Sequence, residues 1–246
     1  GSSSSLSGPN IMLNTAVAEE LRQFADILEP AGDFEAALHA LLKKTISEHK
    51  RIIFNGNGYD ESWIAEARAR GLLNLKTTPD AVSHFTDEKN LALFSAHRVF
   101  SEAEAKARCE IMFENYVKVL NIEALTMSEM VLRDILPAVS RFSGELAAAA
   151  KRKALLPSQA PSGYESAVTV QLSSLTDQAF EEVNELENRL SEAKEKTELC
   201  EQAFYYRDRI VPAMEALRST VDRMEGLTDS NAWPYPSYSD IIFSVK

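Results

Sequence analysis

The chain has 246 residues, 45% of them hydrophobic, with 9 glycines, 9 prolines and a formal net charge of −11. That length and apolar content allow one large domain or two small ones with a sizeable core, and the scarcity of glycine and proline argues for helices over a turn-dense β fold. The acidic balance argues against nucleic acid as a partner, and no apolar run approaches the roughly 18 residues of a membrane span.

The opening Gly1-Ser2-Ser3-Ser4-Ser5 lacks the basic and apolar regions of a signal peptide. It reads as a cloning remnant or as a native loop cut mid-protein. Gly8-Pro9-Asn10 opens the first predicted helix. Leu13, Val17, Leu21, Phe24 and Leu28 follow at spacings of 4, 4, 3 and 4, one apolar stripe. Pro30 and Gly32 stop it. Asp33 caps a second helix, with Phe34, Ala37, Leu38, Leu41, Leu42 and Ile46 expected on its buried side.

Ile52-Ile53-Phe54-Asn55-Gly56-Asn57-Gly58-Tyr59-Asp60 then reads as a strand-like connector into a glycine turn. A dinucleotide loop needs a third glycine where this chain has Glu61, and a P-loop needs Gly-Lys-Ser or Gly-Lys-Thr. Asp60 and Glu61 would occupy the helix start that a phosphate needs. The stretch is therefore expected to be a tight turn, with glycine supplying positive φ and Asp60 capping a short helix that stops at Gly71. Thr78-Pro79-Asp80 starts another helix. Thr86 and Ser101 are further caps, Ser101 with Glu104 at capping-box spacing.

From Ser101 to Lys153 the only strong breaker is Pro137, which predicts a kink or a boundary. Pro157 to Gly163 is a connector. Leu172, Leu175, Ala179, Val183, Leu186, Leu190, Ala193 and Thr197 then form a helical stripe, opposite a solvated face of Glu181, Glu182, Glu185, Glu187, Glu192, Lys194 and Glu195. Ile210, Met214, Leu217, Val221 and Met224 make a second, coiled-coil-like stripe. Trp233-Pro234-Tyr235-Pro236-Ser237-Tyr238 cannot be helix. The apolar end, Asp240-Ile241-Ile242-Phe243-Ser244-Val245, is expected to dock on its own core or on a neighbouring subunit.

The predicted fold class is mainly α: a helical domain with a long antiparallel helical hairpin or bundle and an extended C-terminal tail. Its divisions are residues 1–50, 51–100, 101–228 and an extended apolar tail over 229–246. His39, His49, His84 and His97 show no metal spacing with partners. Cys109 and Cys200 read as buried reduced thiols of a cytoplasmic protein. No catalytic, cofactor-binding or metal-binding residue is assigned. Two function classes remain: a free-standing helical interaction or scaffold module, and a piece of an enzyme whose catalytic residues lie elsewhere.

Several stretches together narrow the choice. Gly8 to Glu19 resembles the last helix of the catalytic domain in type III glutamine synthetases. Ile53-Phe54-Asn55-Gly56-Asn57-Gly58-Tyr59, Gly71 to Ala81 and Asn121-Ile122-Glu123-Ala124-Leu125-Thr126-Met127 are similar to segments typical of that family, and Trp233 to Val245 is similar to its C-terminus. The resemblance implies the C-terminal portion of an ATP-dependent glutamate–ammonia ligase, inactive alone. It implies ATP and Mg or Mn in the full-length enzyme and none held here. The implied partners are the N-terminal catalytic portion of the same chain and further copies, in two stacked hexameric rings, with neither nucleic acid nor membrane.

Overall fold

A computed structural model describes residues 5–156, 160–236 and 238–243. The opening serines through 4, part of the connector (157–159), Ser237 and the last three residues of the apolar tail lie outside the described residues. Helices account for most of what is described, and no strand occurs among those residues. The chain divides into two compact units, 1–112 and 113–246.

In the first unit, α1 (Ser7–Leu28) packs against α2 (Phe34–His49) and α5 (Glu88–Ala96). Asp33 caps α2 by accepting from the Ala36 amide at 3.0 Å. α3 (Glu61–Ala69) and α4 (Thr78–Ser83) lie between. The core is Phe94, Phe100 and Ala105, joined by Ile11, Met12, Phe85, Leu91 and Val99. Its aromatic rings are edge-on or tilted neighbours, Phe94 lying 5.5 Å from both Phe85 and Phe100. The expected stripe on α1 is half-buried at Phe24 and Leu28, but its first three members do not face this core. Leu13, Val17 and Leu21 are 66%, 57% and 62% exposed, and the buried position is Thr15. On α2 likewise, Leu41 is buried while Phe34, Leu42 and Ile46 stay exposed.

α6 (Glu102–Met130) begins with the predicted capping box. The Ser101 amide donates to Glu104 at 2.8 Å, and the Glu104 amide returns a bond to Ser101 Oγ at 3.3 Å. The cap of α5 falls on Asp87 rather than Thr86, and it makes no side-chain cap bond. The Asp87 carboxylate is turned to His84 Nδ1 instead, at 3.0 Å.

The second unit is built around α8 (Gly163–Lys194), which packs on α7 (Leu136–Ala154) and on α10 (Val211–Glu225). Side-chain bonds fix the register. Gln178 reaches Thr220, Arg189 reaches the Arg209 carbonyl and Tyr205 reaches Glu192, so α8 runs antiparallel to the segment formed by α9 (Leu199–Tyr205) and α10. The predicted α8 stripe is buried from Leu172 to Ala193; Thr197 is exposed because the helix has ended at Lys194. The α10 stripe is buried except for the half-buried Met214.

Pro137 and Pro212 each follow a π turn, Val131–Ile135 and Tyr206–Ile210. A proline lacks the N–H for a bond four residues back, and its ring collides with that carbonyl. The wider turn relieves both problems. The Leu136 and Val211 amides reach back five residues, to Val131 and Tyr206. Both turns pack on α8. At the C-terminus, residues 231–235 form turns and bends, as the prolines require, but Tyr238–Phe243 form a short helix, α11. The tail is therefore not extended throughout: no proline interrupts Tyr238 to Phe243.

Candidate functional site

The glycine-rich stretch is the most elaborate loop of the first unit. After α2 the chain makes a single 3-10 turn at Lys50–Ile52 and then runs without regular structure to Asn57. The Phe54 ring stacks on Trp63 of α3, centroids 3.8 Å apart. Arg70, at the end of α3, holds the assembly from the other side. Its guanidinium lies over Trp63 at 5.4 Å, donates to the carbonyls of Arg51 and Ile53, and pairs with Glu66. One side chain thus ties down the loop entry, the aromatic stack and the helix end.

The turn differs from the expectation in how it uses glycine. Neither Gly56 nor Gly58 has positive φ; that conformation belongs to Gly71, at +73°. Gly56 is demanded by space, since a Cβ there would lie 2.6 Å from Phe54 Cζ. Gly71 closes α3: its amide returns to Arg68 and the Leu72 amide to Ala67, the paired bonds of a helix end in a left-handed residue. Asn57 Oδ1 accepts from the Tyr59 amide at 3.1 Å, and Asp60 caps α3 by accepting from the Ser62 amide at 2.8 Å. Bonds from the Ser62 side chain and amide hold the Asp60 carboxyl below its usual range. A charged carboxylate therefore sits where a phosphate would dock. What the loop presents is Tyr59, 99% exposed on a braced base.

Among the four histidines, His97 Nε2 meets Glu19 at 2.7 Å, which ties α5 to α1, and His84 meets Asp87. Neither contact gathers a metal site. Among the described residues no group of three or more His, Cys, Asp or Glu is placed to hold a metal ion. Cys200 is exposed and Cys109 only half-buried, its thiol donating to the Val82 carbonyl. The expectation of two buried thiols is corrected by that exposure. The role of Arg70 gave no sequence signal beyond a cation near a tryptophan.

Residues 37–154, which contain this loop, match the family model of the glutamine synthetase C-terminal domain. Over 99% of its length the chain is 34% identical to the type-3 glutamine synthetase of Dictyostelium discoideum, of which it covers 34%. Residues 37–154 carry the glutamine synthetase C-terminal domain. The chain is also 33% identical to a glutamine synthetase of Butyrivibrio fibrisolvens, over 84% of the chain and 29% of that protein. With a glutamine synthetase of Bacteroides fragilis it shares 28% identity, over 99% of the chain and 35% of that protein. The chain spans about a third of the length of the curated relatives it matches. Helices α8 to α11 lie beyond the family model and within the alignment to the Dictyostelium protein.

Proposed function

We propose that the chain is the C-terminal helical part of an enzyme that joins ammonia to glutamate at the expense of ATP, and that it serves that enzyme through structure and subunit contacts. In such a ligase ATP phosphorylates the γ-carboxylate of glutamate, and ammonia then displaces the phosphate. ATP, a divalent Mg or Mn and a cytoplasmic location belong to the same proposal. The described residues offer no ligand cluster that fits the metal, so no metal step is routed through them.

The observation that carries the structural role is α1. Leu13, Val17 and Leu21 form a regular apolar face with no cover from their own unit. A monomeric soluble surface rarely leaves such a face in water. In this reading α1 backs the catalytic portion of the same polypeptide, and further copies cover other exposed apolar positions. The chain alone is expected to form no glutamine from glutamate, ammonia and ATP; turnover above blank overturns the assignment. Joined to the upstream catalytic portion, Val17→Asp is expected to lower the yield of active assembly. Full activity in that variant would remove α1 from the contact.

A further inference from the structure

Asn55-Gly56 and Asn57-Gly58 are the only two Asn-Gly steps in the chain, and both lie in the exposed loop ahead of α3. Every other asparagine precedes a residue that carries a side chain. The distinction is chemical. The amide carbon of an asparagine side chain lies near the backbone nitrogen of the next residue, and attack by that nitrogen closes a five-membered ring. A side chain on the next residue obstructs the approach, and a regular helix holds the nitrogen away. A glycine in an irregular loop removes both obstacles. This chemistry makes asparagine a thermally labile residue.

The two steps are not equivalent. Neither the Gly56 nor the Gly58 amide is engaged in a hydrogen bond among the described residues, so both nitrogens are open to solvent base. The side chains under attack differ. Asn57 Oδ1 accepts from the Tyr59 amide at 3.1 Å, a local bond that fixes the side-chain torsions. The Gly58 nitrogen meets Asn57 Cγ face-on only if the amide plane turns and that bond breaks. Asn55 is exposed, and no hydrogen bond holds its side chain among the described residues. The glycines differ as well. A Cβ on Gly58 would meet nothing within 4 Å, whereas one on Gly56 would lie 2.6 Å from Phe54 Cζ. Packing therefore demands a glycine after Asn55, and the reactive step is built into the braced loop.

We propose that Asn55 is a site of spontaneous deamidation and that Asn57 is spared. The Gly56 nitrogen, its proton taken by solvent hydroxide, attacks Asn55 Cγ. The new C–N bond forms, the Cγ–Nδ2 bond breaks, and ammonia leaves with a proton from water. Water then opens the cyclic imide at either carbonyl. One opening leaves an aspartyl residue at position 55. The other leaves an isoaspartyl residue, whose main chain runs through Cβ and Cγ. Either product adds a carboxylate to a loop that already holds Asp60 and Glu61. The isoaspartyl form also lengthens the main chain by one carbon directly before Gly56, where the backbone approaches the Phe54 ring. That ring, stacked on Trp63, then loses its fixed seat, and with it goes the base that displays Tyr59. The inference is independent of the ligase reading.

Peptide mapping by mass spectrometry tests it, on the full chain held folded in mildly alkaline buffer and digested in acid. Replacement of NH2 by OH is expected at position 55 and not at 57, with both positions converting in a urea-unfolded control. An isoaspartate methyltransferase with labelled S-adenosylmethionine should methylate the aged chain. Asn55→Gln, whose longer side chain would have to close a six-membered ring, should lose that label. Absence of conversion in the folded chain overturns the proposal. Equal conversion at the two positions, or faster conversion at Asn57, shows that the Tyr59 amide does not protect and overturns the assignment to Asn55. In a Trp233→Phe background, Trp63 emission should shift as conversion proceeds; a constant spectrum overturns the link between the modification and the stack.

Discussion

Arg98 holds a left-handed backbone, φ +53°, the one such non-glycine among the described residues. It ends α5. Its amide returns to Ser95, and the Val99 amide returns to Phe94, the same paired bonds that Gly71 supports after α3. Val99 and Phe94 share the core, so the ending is fixed by packing, and the arginine bears the strain. Arg98→Gly is expected to stabilise the first unit by about 0.5–1 kcal/mol, read from urea unfolding. A neutral or destabilising result would mean that the guanidinium makes a compensating contact. Gly56 makes the opposite case. Its Cβ would strike a ring that is pinned on Trp63. In a Trp233→Phe background, Gly56→Ala should shift the remaining tryptophan emission and destabilise the unit by about 1 kcal/mol; an unchanged spectrum would show that the stack yields freely. Sequence flagged the glycine but gave the wrong reason, because local turn chemistry is readable and a contact with a side chain two residues away is not.

At the scale of elements, legibility followed where the cover of each stripe comes from. The α8 and α10 stripes were readable and are buried because both partners lie in the same bundle. The α1 stripe was equally readable, yet Leu13, Val17 and Leu21 face solvent and only Phe24 and Leu28 are half-buried, because periodicity reports amphipathicity and not the identity of the partner. Pro137 announced a break, but the π turns were not legible, since a proline requires some relief without dictating which. Packing on α8 selects the wide turn and buries Tyr206 and Ile210. Tyr206→Phe should therefore cost about 1–2 kcal/mol, because it removes the donor to Asn121 and strands its oxygen. Within the first unit the α1–α5 junction should be acid-sensitive. Bonds from Arg22, Gln23 and His97 hold the Glu19 carboxyl far below its ordinary 4.5. A depressed carboxylate contributes its stability above its unfolded pKa and loses it as pH falls toward the folded value. Protection factors of the α1 amides, taken relative to the intrinsic exchange rate at each pH, should fall below about pH 4.5, and Glu19→Gln should flatten that dependence; identical profiles would remove Glu19 from the junction.

For the molecule as a whole, the remaining question is how the C-terminal segment is held. The sequence left open whether it docks on its own chain or on a neighbour, and the structure divides the segment. The Tyr235 hydroxyl donates to Asp134 at 2.6 Å, anchoring the proline-rich stretch on the first π turn. Ile241, Ile242 and Phe243, by contrast, are 61%, 67% and 76% exposed. Desolvation and the nearby Asp134 charge push the Tyr235 phenol up to about 12 from 10.0. Desolvation and Glu192 do the same for Tyr205, also to about 12. For a group whose folded pKa is raised, the contribution is complete below the unfolded value and is lost as pH rises through the folded one. The second unit should therefore hold its stability up to about pH 10 and lose it between about 10 and 12. Thermal melts across that range should fall steeply for the wild type and less steeply for Tyr205→Phe with Tyr235→Phe, which cannot ionise. Equal slopes would mean that neither phenol couples to folding. If only Tyr235→Phe frees the segment, limited proteolysis should cut near Trp233 while the α8 bundle stays intact, placing the anchor at Asp134 and leaving the apolar end available to a neighbour.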